Sequence, residues 1–351
     1  MWKMLPSRRR VTGKKNQPLA PGSQLFLECL EDRCVPGSII DLGTLGGYNS
    51  YGWAINNSGL VIGDSYSFMF TGDHAYCYDS GSGTMTDLGT LAGMSGAFSE
   101  ARGLNDLGQI VGASFTSDST MHAFLFSNGT MTDLGTLGGT SSVAVAINNL
   151  GDVVGYAATV DGQNHAFIYS GGEMTDLGTL GGPTSWANAV NDAGVVVGAS
   201  LTPLYQQHAF SYSCGVMTDL GTLGGFVSEA YAINNAGQVV GDAMTATYQI
   251  HAFLYDGGTM TDLGTLGGES SHAYGINSLG QVVGTAQTAT GVYHAFLYSG
   301  GTMTDLNDQL PADSGWLVLT QANSINDSGQ VVGTGVTLSG FTHAFVLYTN
   351  S

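Results

Sequence analysis

Asp219–Thr261, DLGTLGGFVSEAYAINNAGQVVGDAMTATYQIHAFLYDGGTMT, is one repeat unit of this chain, and variants of it recur from Asp41 to the C-terminus. The signature DLG or DLN begins in steps of 46, 46, 43, 43, 43 and 43 residues, at Asp41, Asp87, Asp133, Asp176, Asp219, Asp262 and Asp305. A second signature, HAF or HAY, begins at His74, His122, His165, His208, His251, His294 and His343. A fixed period of this length is typical of propellers, solenoids and other repeat arrays.

The pattern inside each unit predicts four short strands. AxAIN alternates like a strand, a turn of the form Asn-x-x-Gly follows it, and Val-Val-Gly, HAFLY and MTDLG form three further apolar runs. Gly or Asn interrupts these runs every few residues, and no window has the 3.6-residue period of a helix. We expect both the Asn and the Gly of the Asn-x-x-Gly turn to adopt left-handed backbone conformations.

The two ends of the repeat region are complementary. Ser38–Gly43 (SIIDLG) is a fourth strand with no HAF strand before it, whereas His343–Tyr348 (HAFVLY) is a third strand with no MTDLG strand after it. Residues 38–351 are therefore predicted to form an all-β, seven-bladed β-propeller of four-stranded blades, closed by pairing of the N-terminal strand in the last blade. The alternative is an open β-solenoid, which would need caps at both ends.

Charge is distributed very unevenly along the 351 residues. Three of the 27 acidic residues lie in positions 1–37, so 24 remain in the repeat region, where Arg102 is the only Lys or Arg. Such a region repels phosphate backbones, which argues against nucleic acid as a partner. No stretch is long and apolar enough to span a membrane. We expect a monomer with no cofactor; Asp161–Asn164 leaves calcium open as a weak alternative, because its spacing is not that of a calcium loop.

Residues 1–37 form a separate, basic head, which we expect to be disordered. It lacks the apolar run of a secretory signal. The segment Leu27–Pro36 (LECLEDRCVP) resembles the LExLEDRxVP motif near the start of large surface or secreted proteins of planctomycete bacteria. That resemblance implies an export or sorting role, and a helical turn ended by Pro36 is the alternative interpretation.

The repeats themselves also resemble a known family. The pattern HAF…MTDLGTLGG…AIN…GQVVG is similar to the HAF-repeat family of predicted extracellular bacterial proteins, over the whole of residues 38–351. Ala92, Asn307, Asp308 and Gly103–Asn105 depart from the pattern. The resemblance implies an extracellular or cell-envelope location and supplies no established activity.

The recurring His and Asp residues are predicted to be structural. One His per unit cannot supply the ligands of a metal site, and catalysis needs a single asymmetric site rather than seven equal copies. We therefore expect each His of HAF and each Asp of the DLG or DLN signature to join neighbouring strands or turns by hydrogen bonds. No catalytic residue and no metal ligand is assigned.

A function-bearing site is expected where the units differ. Three residues before each AIN asparagine stand Trp53, Arg102, Val145, Asn188, Tyr231, Tyr274 and Asn323. Five residues before it stand Tyr51, Glu100, Val143, Trp186, Glu229, His272 and Gln321. Except for Val143 and Val145, these residues are predicted to form a rim at one mouth of the central channel, with loop aromatics such as Phe68, Phe70 and Tyr205 on the same face.

Three functions remain open from the sequence. The preferred one is a secreted, non-catalytic scaffold that binds a neutral glycan or a protein surface through aromatic and amide side chains. The second is a polysaccharide hydrolase or lyase that uses Glu100, Glu229 and His272 as acid and base. The third is a structural surface component whose variable residues only fill space between blades.

Overall fold

The computed structural model describes residues 37–67, 72–93 and 97–349. The predictions for Leu27–Pro36 and for almost all of the head, and those for Phe68 and Phe70, lie outside these residues. Every described strand belongs to one compact unit, Val35–Ser351. Within the described ranges, no helix has the length and apolar character needed to cross a membrane.

In the described ranges, twenty-eight strands form seven four-stranded antiparallel sheets, so the fold is a seven-bladed β-propeller. From the first to the fourth strand, blades 1 to 4 comprise β2 (Ser50–Ile55), β3 (Leu60–Ser67), β4 (Gly72–Asp79) and β5 (Thr84–Asp87); β6 (Ser99–Leu104), β7 (Ile110–Phe115), β8 (Met121–Ser127) and β9 (Thr130–Asp133); β10 (Gly138–Ile147), β11 (Val153–Thr159), β12 (Asn164–Ser170) and β13 (Glu173–Asp176); and β14 (Ser185–Val190), β15 (Val196–Leu201), β16 (Gln207–Ser213) and β17 (Val216–Gly221). Blades 5 to 7 comprise β18 (Gly224–Ile233), β19 (Val239–Thr245), β20 (Ile250–Asp256) and β21 (Thr259–Asp262); β22 (Gly267–Ile276), β23 (Val282–Thr288), β24 (Tyr293–Ser299) and β25 (Thr302–Asp305); and β26 (Trp316–Ile325), β27 (Gln330–Thr337), β28 (Thr342–Tyr348) and β1 (Ile39–Asp41). A 3-10 turn, Leu306–Gln309, follows β25 at the point where Asn307 and Asp308 interrupt the sequence pattern.

The two ends of the repeat region meet in the last blade, as predicted. Strand β1 pairs with β28 in the register Ile39↔Leu347 and Ile40↔Val346. The backbone N–H of Gly37 donates to the carbonyl of Tyr348 at 2.6 Å and extends this pairing. The latch between β1 and β28 is therefore confirmed, and the solenoid alternative is wrong.

The hydrophobic core is divided among the interfaces between blades. Seven apolar clusters occur in the described residues, and one of them joins Val332 and Val346 of blade 7 to Leu42 and Val61 at the start of the repeat region. The aromatic residue of each HAF or HAY signature is fully buried, namely Tyr76, Phe124, Phe167, Phe210, Phe253, Phe296 and Phe345. Because every blade packs on two neighbours, no blade leaves an apolar sheet face open to water.

The turn between the first and second strands differs from the prediction in one respect. The Gly of the turn has a positive φ, for example 84° at Gly237, but none of the seven AIN asparagines does. Asn234 instead uses its side chain: Oδ1 accepts from the backbone N–H groups of Ala236 and Gln238 at 3.1 and 3.0 Å. The left-handed asparagine was wrong because the side chain satisfies the turn while the backbone stays in a common conformation.

A β-bulge occurs at the same position in the first strand of every blade. The register shifts between the residues four and two before the AIN asparagine, as between Ala230 and Ala232, so that the residue between them has no partner on the second strand. A bulge bends the strand and redirects the extra side chain. The Gly of each Val-Val-Gly strand accommodates it, because a Cβ on Gly241 would lie 1.9 Å from the carbonyl oxygen of Glu229.

Candidate ligand-binding channel

The seven bulged residues converge on one cavity. It has a volume of about 590 Å³, and all seven of the residues three before the AIN asparagines line it, namely Trp53, Arg102, Val145, Asn188, Tyr231, Tyr274 and Asn323. We call this cavity, together with the side chains immediately behind it, the channel mouth. Its volume is in the usual range for small-molecule sites.

The residues five before the asparagines are placed less uniformly. Glu229 and Gln321 also line the channel mouth. Val143 is buried, and the others are half-buried behind the bulged residues, namely Tyr51, Glu100, Trp186 and His272. The structure thus brings one variable column together at the cavity and leaves most of the other as its support.

Glu229 is the acceptor at the centre of a hydrogen-bond cluster in blades 4 and 5. Its Oε1 accepts from Trp186 Nε1 at 2.7 Å and from Asn188 Nδ2 at 2.9 Å, and its Oε2 accepts from Gln207 Nε2 at 2.9 Å. Burial raises the pKa of the Glu229 carboxyl, although these three donors act in the opposite direction. The result is a carboxylate held at the cavity wall by uncharged donors.

Asp242 organises a second cluster in blades 5 and 6. Its Oδ2 lies 2.5 Å from His272 Nδ1 and accepts from the Tyr231 hydroxyl at 3.2 Å. The rings of Tyr231 and Tyr274 meet edge to face at 5.5 Å, and His272 stacks on Tyr274 at 6.2 Å. Burial first, and then the charge of Asp242, raise the pKa of both tyrosines, so their hydroxyls stay protonated.

Asp64 is part of a third cluster, in blades 1 and 2. Trp53 Nε1 donates to its carboxylate, and the Arg102 guanidinium pairs with Glu100 at 2.7 Å in the next blade. Burial raises the pKa of Asp64 to about 6, despite the hydrogen bond from Trp53. The ring of Tyr51 stacks on Trp53 at 6.2 Å.

Asp64 and Asp242 are residues that the sequence interpretation missed. Both stand eight residues after the AIN asparagine, on the second strand, directly opposite Tyr51 and Glu229 in the register. The other units have Ala113, Tyr156, Ala199, Thr285 and Thr334 at this position. The variability of this third column was the signal that could have identified it.

Beyond the channel mouth, the wall of the central channel is first apolar and then polar. The residues just before the AIN asparagines are all aliphatic, and they separate the channel mouth from a second cavity of about 260 Å³. In that second cavity each AIN asparagine donates through Nδ2 to the backbone carbonyl of the next one at 3.0 to 3.2 Å, which closes a ring of Asn56, Asn105, Asn148, Asn191, Asn234, Asn277 and Asn326. We call this set the asparagine ring.

The next residue of each unit forms a second ring at the outer end. This turn ring comprises Asn57, Asp106, Asn149, Asp192, Asn235, Ser278 and Asp327. Six of its seven neighbouring pairs are joined by a backbone N–H that donates to the next side chain at 2.9 to 3.0 Å. No two Asp residues are neighbours in this ring, so each carboxylate lies between uncharged side chains.

The recurring His and Asp residues lie away from the channel, on the third and fourth strands. In every blade the His Nδ1 lies 2.6 to 3.0 Å from an oxygen of the Asp carboxylate, in the pairs His74–Asp87, His122–Asp133, His165–Asp176, His208–Asp219, His251–Asp262, His294–Asp305 and His343–Asp41. The same Asp also accepts from a backbone N–H two residues later, as at Gly221. Among the described residues there is no group of three or more His, Cys, Asp or Glu side chains placed to hold a metal ion.

Comparisons with known proteins show the fold alone. No protein-family profile and no curated sequence matches the chain. A puromycin-hydrolyzing peptidase from Mycobacterium tuberculosis superposes with a TM-score of 0.59 at 13% identity, over 90% of this chain and 54% of that chain. An acylaminoacyl peptidase from Pyrococcus horikoshii superposes with a TM-score of 0.50 at 10% identity, over 85% and 51%. This chain therefore spans about half the length of these peptidases and shares its propeller architecture with them.

Proposed function

We propose that this protein is a non-catalytic binding protein that holds a glycan at the channel mouth. The observation that supports this function is the repeated bulge, which directs seven side chains of five residue types from seven similar blades into one cavity. Rigid frames that vary at one place are typical of binding surfaces. Aromatic rings beside amide and carboxylate groups are suited to the alternating apolar faces and hydroxyl groups of sugars.

The aromatic wall provides the direct test. Tyr274→Ala removes a ring from the cavity, whereas Phe226→Ala removes an exposed ring that contacts Tyr248. We expect Tyr274→Ala to weaken glycan binding by about tenfold or more, a loss of about 1.4 kcal/mol, and Phe226→Ala to leave the affinity unchanged. Binding is measured by calorimetry after a glycan array has identified a ligand. An array with no bound glycan, or equal losses in the two variants, would contradict the proposal.

One observation favours the alternative function, an enzyme. Glu229 lines the cavity and has a raised pKa, which is the property required of a general acid. Three donors to its oxygens favour the ionised carboxylate over the protonated form that a general acid needs, which supports binding over catalysis. Turnover of any polysaccharide in a panel, abolished by Glu229→Gln, would establish the hydrolase or lyase instead.

We also propose that the protein acts outside the cytoplasm or in the cell envelope, as a monomer. Support comes from the resemblance of the repeats to the HAF-repeat family and of Leu27–Pro36 to the planctomycete motif. Fractionation of cells that express the full chain, followed by light scattering of the purified protein, tests both points. Retention in the cytoplasm or a dimer at low concentration would contradict them.

A further inference from the structure

At the channel mouth, more of the amide donors than of the amide acceptors are already hydrogen-bonded within the protein. Asn188 Nδ2 donates to both Glu229 and the carbonyl of Ala230 at 2.9 Å, and Gln321 Nε2 donates to Asn323 at 2.7 Å. Within the described part of the chain, no donor reaches the amide oxygens of Asn188 or Gln321. The side-chain nitrogens are thus largely committed to the protein, and the wall offers acceptors to a ligand.

The indole nitrogens follow the same rule. Trp53 donates to Asp64, and Trp186 donates to Glu229 at 2.7 Å. Trp53 therefore presents ring surface to a ligand, and neither indole retains a hydrogen to donate. A ligand with N–H and O–H groups would find acceptors on Asn188, Glu229 and Gln321, while Arg102 and Tyr274 supply donors for its oxygen atoms.

The charge of the wall points in the same direction. Glu229 and Asp64 are held by uncharged donors, and Asp242 pairs with His272. In the ranges that the structure describes, Arg102 is the only Lys or Arg, and it is already paired with Glu100. Carboxylates with little cationic compensation in a recessed cavity attract a positive ligand. The raised pKa values of Asp64 and Glu229 reflect the cost of keeping these charges out of water.

Aromatic faces complete the wall. The rings of Trp53, Tyr231 and Tyr274 line the cavity together with Glu229. Ammonium groups bind to aromatic faces with a gain of about 0.5 to 2 kcal/mol, more when they are removed from water. Carboxylate, amide oxygen and aromatic ring are the three partners that an organic ammonium prefers.

We propose that the channel mouth binds an amino sugar with a free, protonated amine, such as a glucosamine unit of an oligosaccharide. This inference rests on the proposed function and specifies its ligand. The acceptors of Asn188, Glu229 and Gln321 belong to blades 4, 5 and 7, so they can meet the ligand from several directions instead of at one point. A sugar ring carries donors in several directions, whereas a lysine side chain carries its three donors at one tip.

A matched pair of oligosaccharides tests the charge. Calorimetry of the full chain at about pH 7 compares a glucosamine oligomer with the N-acetylglucosamine oligomer of the same length. We expect the glucosamine oligomer to bind about tenfold more tightly, and added salt to weaken it selectively. A lysine-containing peptide is the third probe. Equal or tighter binding of the acetylated oligomer overturns the ammonium assignment and leaves the glycan function intact.

Two variants tie the preference to the wall. Glu229→Gln keeps the size of the side chain and removes its charge, and Asp64→Asn does the same across the channel. We expect each to reduce glucosamine binding by about tenfold and to weaken binding of the acetylated oligomer less. Asp161→Asn, in an exposed loop, controls for the change in net charge. Equal effects of all three variants, or tighter binding of the peptide, contradict the proposal; binding of none of the three probes contradicts both it and the function on which it rests.

Discussion

Gly241 shows how one backbone contact fixes the position of a cavity residue. A Cβ at this position would lie 1.9 Å from the Glu229 carbonyl oxygen, and the corresponding distances in the other six blades are 1.8 to 2.1 Å. Such an approach is far inside van der Waals contact, so only glycine allows the bulge at Tyr231 to form. The recurring Gly of Val-Val-Gly therefore determines the position of the channel residues as well as the geometry of the sheet.

Gly241→Ala is expected to destabilise the protein by about 3 kcal/mol, because the methyl group must displace a strand. Gly72→Ala is the control, since Gly72 has an ordinary φ and no atom of the described residues lies within 4 Å of its added Cβ. Chemical denaturation gives the free energy of unfolding for both. Similar stabilities in the two variants would contradict the role assigned to the bulge.

Asp64→Asn is expected to stabilise the protein in a pH-dependent way. The folded state raises the pKa of Asp64 from 3.8 to about 6, so it binds the proton more tightly than the unfolded state does. This contribution to stability is full below the unfolded pKa and is lost as the pH rises through the folded pKa. The variant should therefore gain up to about 3 kcal/mol at about pH 8 and almost nothing at about pH 3.

Denaturation curves across that pH window measure the effect, with Asp161→Asn as the exposed control for overall charge. A gain that is constant with pH, or one that Asp161→Asn matches, would show that burial of Asp64 is not its cause.

For individual residues, the sequence predicted which positions vary but not where their side chains point. The column of Trp53 and Tyr231 was identified because the repeats can be aligned on AIN. The bulge was not predicted, since it depends on a carbonyl contact between strands. Asp64 and Asp242 were missed because they lie on the second strand, and only the register places them behind the first.

Between blades, the asparagine ring links neighbours that share no strand pairing. Asn234 caps its own turn and donates to the backbone carbonyl of Asn277 at 3.1 Å. Asn234→Ala removes these bonds and leaves a buried carbonyl without its donor, so we expect a loss of about 2 to 4 kcal/mol. Asn164→Ala, at an exposed strand position, provides the comparison in thermal unfolding. A loss below about 1 kcal/mol in Asn234→Ala would mean that the ring adds little.

The strands were predicted well because alternation and turn residues are local properties. Four strands per unit follow from spacing alone, and the structure has them. Contacts between blades are not local: the residue after each AIN asparagine was recognised as part of a turn, and nothing in one unit reveals its partner in the next. For the same reason the AIN asparagine was assigned a left-handed backbone conformation, whereas its side chain caps the turn and donates a hydrogen bond to the next blade.

For the whole molecule, closure depends on a short piece of chain. Strand β1 has three residues, and the His343–Asp41 pair at 2.8 Å joins it to β28. The pair His208–Asp219 at 2.7 Å has nearly the same geometry and exposure, but a tight turn already connects its two strands. The same contact therefore has a different consequence at the two places.

Asp219→Ala is expected to cost less than about 1 kcal/mol, as for other partly exposed pairs. Asp41→Ala should cost more and expose β1 to protease, because no turn holds β1 in place when the pair is lost. Limited proteolysis with mass spectrometry, together with unfolding rates, distinguishes the two variants. Equal rates and equal cleavage would show that the apolar contacts of β1 suffice for the latch.

The closed propeller was predictable because the repeat region begins and ends with complementary fragments of one unit. The ligand proposed for the channel mouth could not be inferred in the same way, since aligned residue types do not tell which hydrogen atoms are already used in hydrogen bonds. That distinction needed the distances around Asn188 and Glu229.

The turn ring has a further consequence for how such a molecule can change in length. Asn and Asp alternate from Asn57 to Asn235, and strict alternation cannot close on an odd number of members; Ser278 occupies the place where parity fails. Duplication or deletion of one repeat would make the circle even and would move or remove that exception. The blade that carries Ser278 is thus not interchangeable with its neighbours. The number of blades is reflected in the order of the turn-ring residues as well as in the pairing of β1 with β28.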